Sequence, residues 1–273
     1  MKQALCSISS NVEVMPGVYL MWIDAPEIAA IAKPGQFITV RCGDFILRRP
    51  FSIHQVGSSS VTASEVKQSQ VAILFKIAGK GTLWLSQQEA GQRIDILGPL
   101  GKGFAIAPES EKLLLVAGGI GLAPLVFLVQ QALPEHQITL VHGAKTATQL
   151  FPDACQLPAI SHERVRFITV TEDGSAGQKG TATDVLPDYL DWADQVYACG
   201  PIDMYKVMAP MSLPAKGSNL KLKRCQVSLE VRMGCGFGAC YCCTINTRKG
   251  LRQVCHDGPV FQLDDILWQE VRL

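Results

Sequence analysis

Over the first hundred residues the apolar positions come in short bursts closed by turn-forming residues. Val12 to Ile23 is one such run, interrupted at Met15-Pro16-Gly17, where proline then glycine suits a tight reversal between two strands. Pro34-Gly35-Gln36 leads into Phe37-Ile38-Thr39-Val40, and Val71 to Lys76 makes a third run. This texture predicts a small antiparallel β-barrel over residues 1–103. Beyond it the pattern changes. Leu113–Ala117, Ile138–His142, Arg166–Thr171 and Gln195–Ala198 are compact apolar runs separated by lengths that hold helices. Strand then helix, repeated, predicts a doubly wound parallel α/β domain over residues 104–218. Leu213-Pro214-Ala215-Lys216-Gly217-Ser218 has the composition of a linker, and residues 219–273 form a third, small zone rich in glycine and cysteine.

Bulk numbers fit this division. With 273 residues, 48% of them hydrophobic, the chain can bury two compact cores and a small third. A net charge of +1 with interspersed signs gives no field to attract nucleic acid or an anionic membrane. The run Leu113–Ala117 is too short to span a bilayer, and the N-terminal MKQALCSISS lacks the apolar core of a signal peptide. The expectation is a cytoplasmic protein with no membrane span, whose thiols stay reduced. Of ten cysteines, Cys6, Cys42, Cys155 and Cys199 are scattered through apolar stretches, as small buried hydrophobes would be. Cys225, Cys235, Cys240, Cys242, Cys243 and Cys255 crowd near the end, which in a reducing compartment reads as a metal site.

The spacing within that crowd is specific. Cys235, Cys240 and Cys243 give C-x4-C-x2-C, and Cys255 follows downstream, the arrangement of plant-type [2Fe–2S] ligation. Gly236, Gly238 and Ala239 let the backbone wrap closely and turn its N–H groups toward sulfur. A zinc knuckle also uses four cysteines, but as two separated short pairs. Cys242 breaks the spacing and Cys225 lies ten residues upstream of Cys235, so both read as non-ligands.

Two nucleotide cradles are suggested elsewhere. Leu113–Ala117 runs into Gly118-Gly119-Ile120-Gly121, a strand followed by a glycine turn that opens a helix, where N–H groups can hold a pyrophosphate. Cys199-Gly200-Pro201 ends the last strand, and ligands of open α/β sheets lie beyond the carboxyl ends of strands. The role of Cys199 stays open between a site residue and a buried strand residue. In the first zone Arg49-Pro50-Phe51-Ser52 offers a phosphate-neutralising guanidinium with a hydroxyl three residues on. Gly79-Lys80-Gly81-Thr82 is another turn able to cradle phosphate, Gly98-Pro99-Leu100-Gly101 closes the barrel, and Lys76 is a further candidate cofactor contact.

These five motifs occur in the order found in the ferredoxin–NADP reductase superfamily, which the first two zones resemble. The tail from Met233 to Cys243, with Val254-Cys255-His256-Asp257-Gly258-Pro259, resembles one branch of it, the electron-transfer subunits of NAD-dependent dihydroorotate dehydrogenase B, as does Thr171-Glu172-Asp173-Gly174-Ser175. The resemblance implies that Arg49 and Ser52 hold FAD, at a phosphate and near the flavin N5, and that Gly81 and Thr82 bind its phosphates. It implies that Gly118, Gly119 and Gly121 face NAD, that Gly200 and Pro201 shape the nicotinamide end, and that Cys235, Cys240, Cys243 and Cys255 ligate the cluster. Phe51 departs from the tyrosine usual in the wider superfamily. The implied partner is an FMN-containing dihydroorotate dehydrogenase catalytic subunit, in a heterotetramer of two chains of each kind, with electrons passing through the cluster and FAD to NAD.

The same architecture resembles subunits of sulfide dehydrogenase and of NADH-dependent ferredoxin:NADP reductase, a rival conduit role. A vestigial binding module is the rival from another class, and the intact arginine, serine, glycines and cysteines speak against it. The preference for NAD over NADP is implied by the resemblance; His142-Gly143-Ala144-Lys145-Thr146 carries one lysine and no arginine cluster. His54, His136, His142, His162 and His256 are isolated in sequence and read as structural or solvated.

Overall fold

The structure is a computed structural model that describes residues 1–57, 69–133, 135–151, 163–211 and 224–271. Cys155, His162 and the linker from Leu213 to Ser218 lie outside the described residues.

Strands β1 (Lys2–Met15), β2 (Val18–Asp24), β3 (Phe37–Val40), β4 (Arg49–Gly57), β5 (Gln70–Lys76) and β6 (Arg93–Leu100) close into a barrel in the order β1-β2-β5-β4-β3-β6. The predicted reversal at Met15-Pro16-Gly17 joins β1 to β2, with Gly17 at φ 71°, the left-handed region that glycine enters without a Cβ clash. Ile8, Met21, Ile23, Ile38, Ile53, Ile73, Ile94 and Ile96 fill the interior. Burying each contributes roughly 1.5–3 kcal/mol relative to exposure. Two short helices ride on the barrel, α1 (Pro26–Ala29) and α2 (Lys80–Ser86).

The second body is built on a seven-stranded sheet. Its strands β7 (Lys112–Gly118), β8 (Gln137–Ala144), β9 (Val165–Thr171), β10 (Gln178–Lys179) and β11 (Gln195–Cys199) are parallel, with β7 central and paired to both β8 and β11. Helix α3 (Leu122–Ala132) follows β7, while α4 (Pro187–Leu190) and α5 (Ile202–Met211) flank β11 in sequence. The sheet is covered on both faces, which explains why β7 is continuously apolar from Leu113 to Ala117 rather than alternating. Leu113, Leu115 and Ala117 pack with Leu125 and Val129 of α3, while Leu114 and Val116 pack with Leu186, Tyr205 and Met208.

The chain beyond residue 224 extends the same sheet. Strand β12 (Cys225–Ser228) pairs parallel with β11, and β15 (Val260–Gln262) pairs antiparallel with β12. Between them lie the hairpin of β13 (Thr244–Thr247) and β14 (Gly250–Gln253), and the one-turn helix α6 (Val254–Asp257). Polar contacts help tie the bodies together. His54 Nδ1 on β4 bonds the Ala123 carbonyl at 2.9 Å, Gln130 on α3 exchanges two hydrogen bonds with the Val56 backbone, and Lys102 N–H donates to the Gly258 carbonyl.

Candidate functional site

The flavin candidates lie where β4 leaves the barrel mouth beside α2. Arg49 pairs with Val40, Pro50 with Thr39, Phe51 with Ile38 and Ser52 with Phe37, so all four sit against β3. Arg49 reaches across to the start of α2, where a Cβ on Gly81 would come 3.0 Å from its Nε. Its guanidinium donates to the Leu47 carbonyl and lies over the Phe45 ring, and none of the ion pairs among the described residues involves it. A cation without a carboxylate, beside N–H groups that have no partner inside α2, suits a phosphate. Thr82 Oγ1 accepts from Ala78 and Gly79 N–H, at 2.8 and 3.1 Å, and so closes the turn that presents those groups. Phe51 packs on Phe75, which stacks on Tyr19, and Lys76 ends β5 shortly before the loop that opens α2.

The nucleotide candidates meet at the switch between β7 and β11. A Cβ on Gly121 would come 2.0 Å from the Cys199 carbonyl oxygen, and one on Gly118 would come 2.7 Å from Pro201 Cδ. The absence of side chains at these positions is what lets the Gly118–Gly121 turn touch the Cys199–Pro201 turn. Gly119, at φ 54°, faces open space, and its carbonyl accepts a hydrogen bond from His142 Nε2 at 3.1 Å. The space is a cavity of about 700 Å³ lined by Gly118, Gly119, Lys145, Glu172, Asp184 and Pro201 among others. The lining thus carries one cation, Lys145, and the carboxylates of Glu172 and Asp184. Cys199 itself is buried, its thiol pushed far up by that burial, with Tyr205 and Ser228 as neighbours. It is an inert thiol in this setting.

The cysteine candidates converge on one loop. Ala239 N–H donates to Cys235 Sγ at 3.2 Å, Cys235 N–H to Cys240 Sγ at 3.3 Å, Gly238 N–H to Cys255 Sγ at 3.1 Å and Cys255 N–H to Cys243 Sγ at 3.4 Å. Gly236 and Gly238 are at φ 81° and 92°, and Tyr241 at φ 60° is the one non-glycine with positive φ among the described residues. That concentration of left-handed backbone lets N–H groups turn onto sulfur. Gln253 Nε2 bonds the Gly238 carbonyl and the Asp257 carboxylate accepts from Gln253 N–H, fixing the helix that carries Cys255 to the loop.

The thiols fall into two hydrogen-bonded pairs, Cys235 with Cys240 and Cys243 with Cys255. Paired thiols suit a binuclear cluster, with two ligands to each iron, rather than one zinc ion. Burial pushes the Cys235 thiol up, but hydrogen bonds from Phe237, Cys240 and Ala239 outweigh it and bring the pKa down to about 6. Burial, then the bond and charge of Cys243, raise Cys255 to about 12. Thiols this close resist ionising together unless a cationic centre sits among them. Cys242 points away, its Sγ toward the Arg232 carbonyl at 3.9 Å, and Cys225 is buried in β12.

Two histidines that sequence reading set aside belong to this frame. His54 and His142 are both buried, and burial lowers each to about pKa 4, so both rings are neutral near pH 7. Each donates one ring N–H to a backbone carbonyl in or just after the Gly118–Gly121 turn, Ala123 for His54 and Gly119 for His142. Nothing local in the sequence signals this, because the partners lie 69 and 23 residues away.

Barrel, switch-point crevice and thiol loop together define a flavin- and nicotinamide-linked oxidoreductase scaffold carrying an iron–sulfur segment. Comparison with known proteins agrees. The family described as the iron–sulfur cluster binding domain of dihydroorotate dehydrogenase B matches residues 230–267, and the oxidoreductase NAD-binding domain matches residues 115–209. A dihydroorotate dehydrogenase B (NAD(+)) electron transfer subunit from Desulforamulus reducens is 40% identical, covering 94% of this chain and 95% of the relative. One from Shouchella clausii is 32% identical over 97% and 98%. A solved NADH-dependent reduced ferredoxin-NADP oxidoreductase superposes with TM-score 0.79 at 28% identity, over 97% of this chain and 91% of the other. A ferredoxin NADP+ reductase from Neisseria gonorrhoeae, solved with FAD and NADP, shares the fold at TM-score 0.61 and 17% identity, over 81% and 96%. The chain belongs to the family of dihydroorotate dehydrogenase B (NAD(+)) electron transfer subunits.

Proposed function

We propose that this chain carries electrons between a catalytic partner subunit and NAD, taking them from the oxidation of dihydroorotate to orotate. It is an oxidoreductase subunit that works with FAD, a [2Fe–2S] cluster and NAD. The cluster moves single electrons, the nicotinamide takes a hydride, and the flavin converts one currency to the other. The observation that carries the reading is the stacking of the three candidate cradles around β3 and β4. The loop bearing Cys235 packs on β3, the strand bearing Arg49 to Ser52 is the next one over, and α3 is held on that strand through His54.

In this reading Arg49 neutralises the flavin pyrophosphate together with the Gly81–Thr82 end of α2, and Pro50 and Phe51 wall the ring system. Ser52 directs its hydroxyl to the ring edge, and Lys76 adds charge at the cofactor. The Gly118–Gly121 turn and Gly200–Pro201 hold the nucleotide pyrophosphate and the nicotinamide end, and Cys199 packs behind them. Cys235, Cys240, Cys243 and Cys255 ligate the cluster. The division at residues 103 and 218 assigns one cofactor to each zone. The partner is an FMN-containing dihydroorotate dehydrogenase subunit, two chains of each kind making a heterotetramer, and the complex works in the cytoplasm. No described helix is long and apolar enough to cross a membrane.

Cofactor analysis of the purified chain tests this. One FAD per chain, iron and sulfide in the ratio of a [2Fe–2S] cluster, and bleaching of both chromophores by NADH are expected; a colourless chain would refute it. A second reading, service in an NADH-dependent ferredoxin:NADP oxidoreductase, draws on the solved structure of that activity at 28% identity. Preference for NADPH or for ferredoxin over a dihydroorotate-oxidising partner would favour it.

A further inference from the structure

A buried hydroxyl without a partner sits where the cysteine loop meets the barrel. Thr39 is 2% exposed in the middle of β3, and its Oγ1 makes no hydrogen bond among the described residues. Along the sheet it stands between Pro50 of β4 and Leu97 of β6. Its methyl group Cγ2 lies against the loop between Cys235 and Cys240. A Cβ on Gly236 would come 2.9 Å from Thr39 Cγ2, against 3.8 Å from Leu100 and 4.0 Å from Phe37. With φ 81° as well, only glycine brings the loop this close.

Of the three side chains nearest Gly236, Thr39 alone carries a polar atom. Valine has the same shape and no hydroxyl to desolvate, whereas a buried hydroxyl left unpaired costs about 1–3 kcal/mol. No acceptor among the described residues reaches Oγ1, and the loop that carries Cys235 and Cys240 packs on this same side chain. Sulfur atoms of iron–sulfur clusters accept hydrogen bonds, and their potentials respond to them.

We propose that the Thr39 hydroxyl donates a hydrogen bond to a sulfur of the cluster held by the Cys235 loop, making Thr39 a positioning residue that raises the cluster's reduction potential. This rests on the cluster reading above. The physical reason for the sign is that donation stabilises the more negative, reduced cluster. Thr39 also pairs with Pro50 on the neighbouring strand β4.

The test is a redox titration of the holoprotein, with EPR reporting the cluster and visible absorbance the flavin, for Thr39→Val and Thr39→Ser. Thr39→Val should retain iron, sulfide and FAD yet lower the equilibrium constant for cluster reduction about tenfold, which is about 59 mV for a one-electron couple. Thr39→Ser should keep the parental potential. An unchanged cluster potential in Thr39→Val at full iron content overturns the proposal, as does a shift confined to the flavin, which would make the flavin the acceptor. Should Thr39→Val lose the cluster, Thr39→Ala takes its place. Loss from both with retention in Thr39→Ser supports the hydroxyl's role, and loss from Thr39→Ser too assigns the effect to methyl packing on Gly236 and overturns it. A parent chain without iron would instead remove the cluster reading itself.

Discussion

His54 Nδ1 lies 2.9 Å from the carbonyl oxygen of Ala123, so the strand that carries Arg49 and Ser52 is fastened to the first turn of the helix that opens at Gly121. His142 fastens the other side of the same turn through the Gly119 carbonyl. One neutral imidazole thus joins β4 to α3 and a second braces the turn before α3, each with its other ring nitrogen buried and without a partner among the described residues.

That arrangement makes stability depend on pH. Both folded-state pKa values are about 4, below the value of about 6.5 of an exposed histidine. Between those limits the unfolded chain binds more protons, so stability is complete above about pH 6.5, falls as pH drops, and levels off near 4. Each histidine adds a slope of up to about 1.4 kcal/mol per pH unit. Urea unfolding of the holoprotein between pH 4.5 and 7.5 measures it. His142→Gln should flatten the profile by about one proton relative to the parent, and parallel profiles would contradict this.

Gly121 makes the tightest of the contacts between the Gly118–Gly121 and Cys199–Pro201 turns. In Gly121→Ala the new Cβ would meet backbone, 2.0 Å from the Cys199 oxygen and 2.4 Å from its carbon, so the turns must separate. The expected result is a KM for NADH raised at least tenfold, with FAD and iron content at parental levels. A parental KM would mean that the contact between the turns does not shape the nucleotide site.

The pairing of thiols separates ligand from bystander. Cys240→Ser should abolish the EPR signal of the reduced cluster and most of the iron, because Cys240 Sγ sits in the loop's own hydrogen-bond set. Cys242→Ser should leave both unchanged, since that thiol turns to the Arg232 carbonyl. An intact cluster in the Cys240 variant would sink the ligand assignment.

Much of this was legible in the chain because it is local. The continuous apolar run Leu113–Ala117 marks a strand covered on both faces, and glycine turns at strand ends mark the crevice they build. The C-x4-C-x2-C spacing is likewise a short-range signal. What was hidden depends on contacts distant in sequence. Cys225–Ser228 gives no local sign that it will pair with β11, nor Val260–Gln262 that it will pair with β12, so the cysteine-rich zone could not be seen to share the nucleotide sheet. Thr39 sits in an apolar run where its hydroxyl looks incidental. His54 and His142 look isolated because their partners are backbone carbonyls, which leave no trace in a sequence.

The most direct test of the electron-transfer role is dihydroorotate-dependent reduction of NAD+, followed as NADH absorbance, with the chain alone and after adding an FMN-containing dihydroorotate dehydrogenase subunit. Alone, the chain should oxidise NADH with an artificial acceptor but form no NADH from dihydroorotate, and NADH formation should begin when the partner is added. Dihydroorotate oxidation by the chain alone, or no NADH formation in the reconstituted complex, would contradict the account.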